Sequence, residues 1–169
     1  DYPLEIIGVN NNSKDETEKV YEAFGVRYVN EPKQSPGYAR QCGLAHSRGK
    51  FHFFIDADTM YPPRYVDLMM ERLKRPGTSC VGTFWIFYPD ERHSRLSLWI
   101  FEAIRDMFLF AQHFKRPELC IRGMTFAFRA DYAREVGIRT DIRRGEDGSL
   151  ALGLKRYGRI AFLRNRHAR

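Results

Sequence analysis

The chain reads as an α/β protein: one packed domain in which helices connect the strands of a sheet. Three observations predict this. Apolar and aromatic runs of strand length are each followed by turn or cap residues and then by a segment with helical spacing. That order, strand then helix, repeats three times in succession from the start of the chain. Finally, 169 residues that are 43% hydrophobic and 14% aromatic suffice for a single core. The same composition excludes global disorder, because thirteen Phe, nine Tyr and two Trp supply ample buriable surface against 29% charged residues. No uncharged stretch approaches the roughly 20 apolar residues that a bilayer core demands.

Residues 4–9 (Leu-Glu-Ile-Ile-Gly-Val) form the first predicted strand, running into the turn and cap cluster Asn10-Asn11-Asn12-Ser13. A helix over 16–24 follows, with Val20, Tyr21 and Phe24 on one face and Gly25 placed to end it in a left-handed conformation. After a short strand at 26–29, Ser35 is positioned as an N-cap with Pro36 at the first helical position. The helix they open runs to about Arg48, and its small residues Ala39, Gly43 and Ala45 permit close approach to a sheet. Phe51-His52-Phe53-Phe54-Ile55 has the character of a central strand and ends at Asp56-Ala57-Asp58. Pro62-Pro63 introduces a helix whose Val66, Met69, Met70 and Leu73 share a face, closed by Pro76-Gly77. A longer strand covers 79–88. The segment 95–114 is apolar on most sides, which fits either a deeply buried helix or an exposed apolar face. A strand at 123–128, a helix at 130–136, a polar turn Gly145-Glu146-Asp147-Gly148, a helix at 149–157 and a strand at 159–163 complete the pattern.

Twenty-eight Lys and Arg against twenty-one Asp and Glu give a formal charge of +7, which favours an anionic partner. Three widely spaced cysteines, Cys42, Cys80 and Cys120, support neither a disulfide framework nor a metal site and suit a reducing compartment.

Asp56 and Asp58 are the most informative residues. Two acids separated by one small residue at the carboxyl end of an apolar strand lie where open α/β sheets bind ligands. Their mutual repulsion is relieved by a cation, and hard oxygens suit Mg²⁺ or Mn²⁺, which can bridge to a diphosphate. Spacing alone is equally compatible with a solvated turn. Asp147, beside Glu146 at a helix start, suits a general base, or else simply stabilises the positive helix end. Asn10 and Asn12 offer acceptors and donors to a nucleoside, or form an Asx-turn. Lys33 and Arg40 flank a helix N-terminus in a way that suits phosphate oxygens, or belong to an ordinary basic loop. His113 and His167 are isolated.

Taken in order, Val9-Asn10-Asn11-Asn12-Ser13, Gly37-Tyr38-Ala39-Arg40-Gln41, Phe54-Ile55-Asp56-Ala57-Asp58, Gly123-Met124-Thr125 and Gly145-Glu146-Asp147 resemble the motif series of family 2 glycosyltransferases with the GT-A fold. The resemblance implies a Rossmann-like mixed sheet flanked by helices and an inverting transfer of a sugar from a nucleotide-diphosphate donor to a hydroxyl acceptor (glycan, polysaccharide or lipid-linked). It assigns Asp56 and Asp58 to a divalent metal, Mg²⁺ or Mn²⁺, and Asp147 with Glu146 to the catalytic position. Asn10, Asn12, Lys33, Arg40, Asp56 and Ala57 fall to the nucleotide-sugar. Asn10 stands where the family usually has Asp, and Gln41 where Asn is common. Family members also open with a central strand before the one at 4–9, so the resemblance implies a single catalytic domain truncated at its N-terminus, and at its C-terminus where members continue. A cytoplasmic protein, peripheral at the inner face of the cell membrane, is the matching expectation. Two rivals are a haloacid-dehalogenase-like phosphatase, which also uses two aspartates after a strand but wants Thr or Val where Met60 stands, and a non-catalytic basic module binding nucleic acid or anionic membrane through Arg-rich segments.

Overall fold

The computed structural model describes residues 3–85 and 94–168, the stretch 164–168 by its backbone alone. Strand β1 (Ile7–Asn10) pairs in parallel with β2 (Arg27–Asn30), and helix α1 (Thr17–Ala23) connects them. Helix α2 (Pro36–His46) then leads to β3 (Phe51–Phe54), α3 (Tyr65–Leu73) and β4 (Thr78–Trp85). After the long helix α4 (Arg95–Lys115) come two short 3₁₀ turns, Pro117–Cys120 and Gly123–Thr125, then β5 (Phe126–Arg129) and α5 (Ala130–Val136). Helix α6 (Glu146–Leu154) and β6 (Arg159–Ala168) follow.

Strands β3, β5, β4 and β6 form a mixed sheet in that spatial order: β5 runs antiparallel to both neighbours, and β4 and β6 are parallel. All eight residues of β4 are buried, as expected of an interior strand covered on both faces. Period-2 alternation along β5 divides the core. Phe126 and Phe128 turn toward Leu44 of α2 and Leu150 and Leu154 of α6, while Ala127 turns toward Met69 and Leu73 of α3. A third cluster joins Phe84 and Trp85 to Leu109 and Cys120. The three cysteines are free, two of them buried.

Several local expectations are met. Ser35 caps α2, its hydroxyl accepting the Tyr38 N–H at 3.2 Å, and Gly25 adopts φ 62°. Others are corrected. Pairing of the first strand begins at Ile7 rather than Leu4, because β2 supplies partners only from Arg27 onward, and Leu4 and Ile6 are exposed. Helix α1 buries no residue: Tyr21 lies across Gly8 and stacks on Tyr28, but Val20 and Phe24 point to solvent. Helix α2 stops at His46, two residues short, where the extended Ser47 turns its hydroxyl back to the Leu44 carbonyl. The helix expected at Pro62-Pro63 starts at Tyr65, whose N–H bonds the Pro62 carbonyl. Residues 123–125 are a 3₁₀ turn rather than strand. Helix α6 starts three residues early because Gly145, at φ 85°, makes the left-handed entry that lets Glu146 and Asp147 join its first turn. The end of the strand expected at 79–88 lies outside the described residues.

Among the described residues β3 lies at the edge of the four-stranded sheet rather than at its centre, with β5 between it and β4. Among the described residues β1 pairs only with β2 and β3 only with β5, so each leaves one edge without a strand partner.

His52 on β3 stacks on Phe128 at 5.2 Å, and burial, with the Arg134 cation adding to it, pushes its imidazole from 6.5 down to about 4. The unfolded chain therefore takes up a proton that the folded chain refuses as pH falls from 6.5 toward 4, and the stability due to neutral His52 is lost over that window. Urea unfolding should show a loss on the order of 3 kcal/mol across it, from about 1.4 kcal/mol per pKa unit. His52→Phe should remove that component of the pH dependence.

Candidate active site

Three segments far apart in sequence converge beyond the carboxyl end of β3. The first is α2, whose entry is fixed by Asn11: its Oδ1 accepts the Ser35 N–H at 2.9 Å, and its Nδ2 donates to the Glu31 and Lys33 carbonyls at 2.9 and 2.8 Å. One turn into this anchored helix, Arg40 points inward with its guanidinium 5.1 Å from the centre of the Phe54 ring. The second is the turn after β3. The Asp56 N–H donates to the Tyr61 hydroxyl at 3.1 Å, that hydroxyl donates to the Met124 carbonyl at 2.7 Å, and the Asp56 carbonyl accepts from the Thr59 N–H at 3.2 Å. Burial pushes the Tyr61 phenol pKa up, which keeps this donor protonated. The third segment is the start of α6.

Arg40 joins the second and third. It is hydrogen-bonded through Nη1 to Glu146 Oε1 and lies 3.4 Å through Nη2 from Asp56 Oδ1. The Glu146 side chain is 7% exposed and that of Arg40 16%, against 40% for Asp56, so the guanidinium chiefly compensates the buried carboxylate. Gly123 makes room for it, since a Cβ there would overlap the guanidinium. Asp58 and Ala57 are exposed, and the Thr59 hydroxyl donates to Asp58 at 3.4 Å. Asp147 is half-buried, with Oδ1 accepting the Gly148 N–H at 2.7 Å and Oδ2 without a hydrogen bond among the described residues.

The structure thus brings together Arg40, Asp56 and Glu146, with Asp147 next to the last. No hydrogen bond or ion pair among the described residues ties Asn10, Asn12 or Lys33 to that group. Asn10 is buried with its amide engaged, Nδ2 to Glu18 at 2.8 Å and Oδ1 from the Ser13 N–H at 2.9 Å. Asn12 is exposed at φ 58°, a left-handed conformation that Asn tolerates. Lys33 lies 5.1 Å over the Tyr38 ring. Sequence gives Tyr61 no role, and Gly123 enters there only within the motif Gly123-Met124-Thr125. A glycine opening an aromatic strand is a general sign of close approach, which fits Gly123, whereas nothing local marks Tyr61.

No group of three or more His, Cys, Asp or Glu among the described residues could hold a metal. Asp56 and Asp58 still fit Mg²⁺ or Mn²⁺, which bind through one or two carboxylates together with substrate phosphates and water.

Superposition on solved structures identifies the class of fold. The chain matches glucosyl-3-phosphoglycerate synthase of Mycobacterium tuberculosis in complex with phosphoglyceric acid at a TM-score of 0.68, with 23% identity, over 98% of this chain and 60% of that one. It matches the same synthase with Mn²⁺, UDP and glucosyl-3-phosphoglycerate at 0.67, with 24% identity, over 98% and 60%. The architecture is accordingly the GT-A type, a mixed α/β fold. The particular family follows from sequence: the glycosyl transferase family 2 model matches residues 1–137, and the chain belongs to that family. Curated relatives align over shorter stretches. An uncharacterised glycosyltransferase of Rickettsia prowazekii is 31% identical over 74 residues, 43% of this chain and 23% of that protein. A dolichyl-phosphate beta-glucosyltransferase of Trichomonas vaginalis is 38% identical over 64 residues, 34% and 19% respectively. The chain therefore spans about three fifths of the solved structures it matches and a smaller part of the curated relatives.

Removing the guanidinium leaves Glu146 buried beside a weakened site. Arg40→Met should lower unfolding stability by about 3 kcal/mol, the scale for breaking a buried pair from one side. Adding Glu146→Leu should recover most of the loss, and a double-mutant cycle in urea reads the coupling directly.

Proposed function

We propose that this chain is the core of a catalytic domain that transfers a sugar, with inversion, from a nucleoside-diphosphate donor to a hydroxyl acceptor. The observation that carries the reading is the convergence of Arg40, Asp56 and the Glu146-Asp147 turn on one end of β3 in a chain of family 2. Asp147 acts as general base because it keeps a carboxylate oxygen without a hydrogen bond among the described residues, whereas Glu146 is engaged by Arg40. In the step, the Asp147 carboxylate takes the acceptor O–H proton, the freed oxygen bonds to the anomeric carbon, and the bond from that carbon to the diphosphate oxygen breaks with its electron pair leaving on the diphosphate. Attack and departure on opposite faces of the sugar give inversion.

Asp56 and Asp58 would hold Mg²⁺ or Mn²⁺ with the donor, and the ion would supply neutralising charge for the departing diphosphate. Arg40 and Lys33 add positive charge on the donor side, Ala57 leaves room beside the sugar nucleotide, and Asn12 presents its amide toward the nucleoside while Asn10 shapes the turn beneath it. The solved relatives support the donor and metal chemistry, since complexes of that synthase contain Mn²⁺ with UDP-glucose or UDP. Phosphoglyceric acid and dolichyl phosphate, in the names of the relatives, mark two acceptor chemistries, a small hydroxy acid and a lipid carrier. The free edges of β1 and β3 support a further strand, from chain before Asp1, completing the sheet between them.

A chain extended before Asp1 should hydrolyse or transfer from UDP- or GDP-sugars only with a divalent cation. Asp58→Ala should abolish the metal-dependent rate, and an unchanged metal-dependent turnover in that variant would sink the assignment. Asp147→Asn should slow transfer by about 10²–10⁴-fold with donor binding retained, the range expected for loss of a general base.

A further inference from the structure

Helix α4 turns its charges inward and its apolar residues outward. Between Trp99 and Phe114 its Asp, Glu, Lys and Arg residues are Glu102, Arg105 and Asp106. Glu102 is buried. Arg105 donates to the Trp85 carbonyl at 2.6 Å, pairs with Asp106 at 2.8 Å and lies 4.6 Å over the Trp85 ring. The outward surface carries Leu96, Trp99, Ile104, Met107, Phe108 and Phe114, each between 58% and 69% exposed. At 3.6 residues per turn these six spread over roughly half of the helix circumference, and none of the three charged residues falls within that arc. At roughly 200 Å² for a large side chain, they leave on the order of 700 Å² of apolar surface, beyond the few hundred usual on a soluble monomer.

The charges at the margin select the occupant. Arg95 and Lys115 at the two ends of the helix and Arg122 just beyond it are exposed, and no carboxylate of α4 is fully exposed. A second copy packed antiparallel about a two-fold axis would bring Arg95 of one chain against Lys115 of the other, and a parallel pair would align like ends. Both arrangements place cations against cations. Anionic headgroups answer the same rim with opposite charge, and long cationic side chains reach headgroup level while the helix body stays in the acyl boundary. The formal charge of +7 acts in the same direction.

We propose that α4 is an interfacial helix that seats this protein on an anionic membrane, with Trp99, Ile104, Met107 and Phe108 among the acyl chains and Arg95 and Lys115 at the phosphates. No helix among the described residues is long and apolar enough to cross a membrane, so the contact is in-plane. The proposal is independent of the sugar-transfer reading, because none of these residues belongs to the site around Arg40.

Flotation of the full chain with vesicles of phosphatidylcholine, alone or with about one third phosphatidylglycerol, tests it. The chain should float with the anionic vesicles, at least tenfold more than with neutral ones, and added salt should weaken the association. Its tryptophan emission should shift to the blue on binding, a change absent in Trp99→Phe because Trp85 is already buried. Met107→Glu with Phe108→Glu should reduce binding at least tenfold while leaving the unfolding midpoint and any UDP-sugar affinity unchanged. Failure to float with either vesicle would overturn the proposal, as would equal binding to both. A dimer in sedimentation that the same double substitution dissociates, without vesicle binding, would assign the face to a second copy instead.

Discussion

Arg40 carries one positive charge into a region that contains a buried carboxylate, and much of the surrounding architecture follows from housing that charge. Glu146 lies 106 positions further along the chain, yet its burial is tolerable only because the guanidinium reaches it. To arrive there Arg40 must leave α2 at a set angle, which the Ser35 cap and the Asn11 clamp impose on the helix entry. It must also pass close to the backbone before β5, which only Gly123 permits. The residue at 145 must admit a left-handed conformation so that α6 starts early enough to present Glu146. Capping, glycine placement and ion pairing are therefore one constraint distributed over four segments.

The sheet supplies the frame for that constraint. Inserting β5 antiparallel between β3 and β4 carries the 3₁₀ turn Gly123–Thr125 to the end of β3, where the Met124 carbonyl meets the Tyr61 hydroxyl that in turn holds the Asp56 N–H. The Asp56–Asp58 turn is thus fastened through its backbone, leaving Asp58 outward and Asp56 partly open. Under the proposed function, these two carboxylates would share a hard cation with the donor diphosphate. Among the described residues, the unpaired edges of β1 and β3 and the outward apolar face of α4 involve none of these side chains.

Much of this was legible in the sequence, for reasons that are local. Helix starts at Ser35-Pro36, the face Met69–Leu73, the left-handed Gly25 and the acidic turn after an aromatic strand are all set by neighbours within a few residues. Errors arose where a distant partner decided the outcome. The segment at 123–125 reads as the start of a strand, but the Thr125 N–H bonds the Arg122 carbonyl and the chain tightens into a turn, with Gly123 leaving room for Arg40. Helix α1 has an apolar face of which, among the described residues, Tyr21 meets Tyr28 and Gly8 on the two-stranded surface of β1 and β2 while Val20 and Phe24 stay exposed. The role of Glu146 was inseparable from that of Asp147 by spacing alone.

The sequence by itself determined the α/β alternation, the order of the motifs that mark family 2, and the excess of positive charge, because periodicity, caps and composition act over single turns of chain. Tertiary structure decided the strand order that inserts β5 between β3 and β4, the partnership that occupies Glu146 and leaves Asp147 with an oxygen free of hydrogen bonds among the described residues, and the direction in which α4 faces. Those depend on which surfaces meet across scores of residues, and a pattern of apolar positions specifies that a face exists without specifying what covers it.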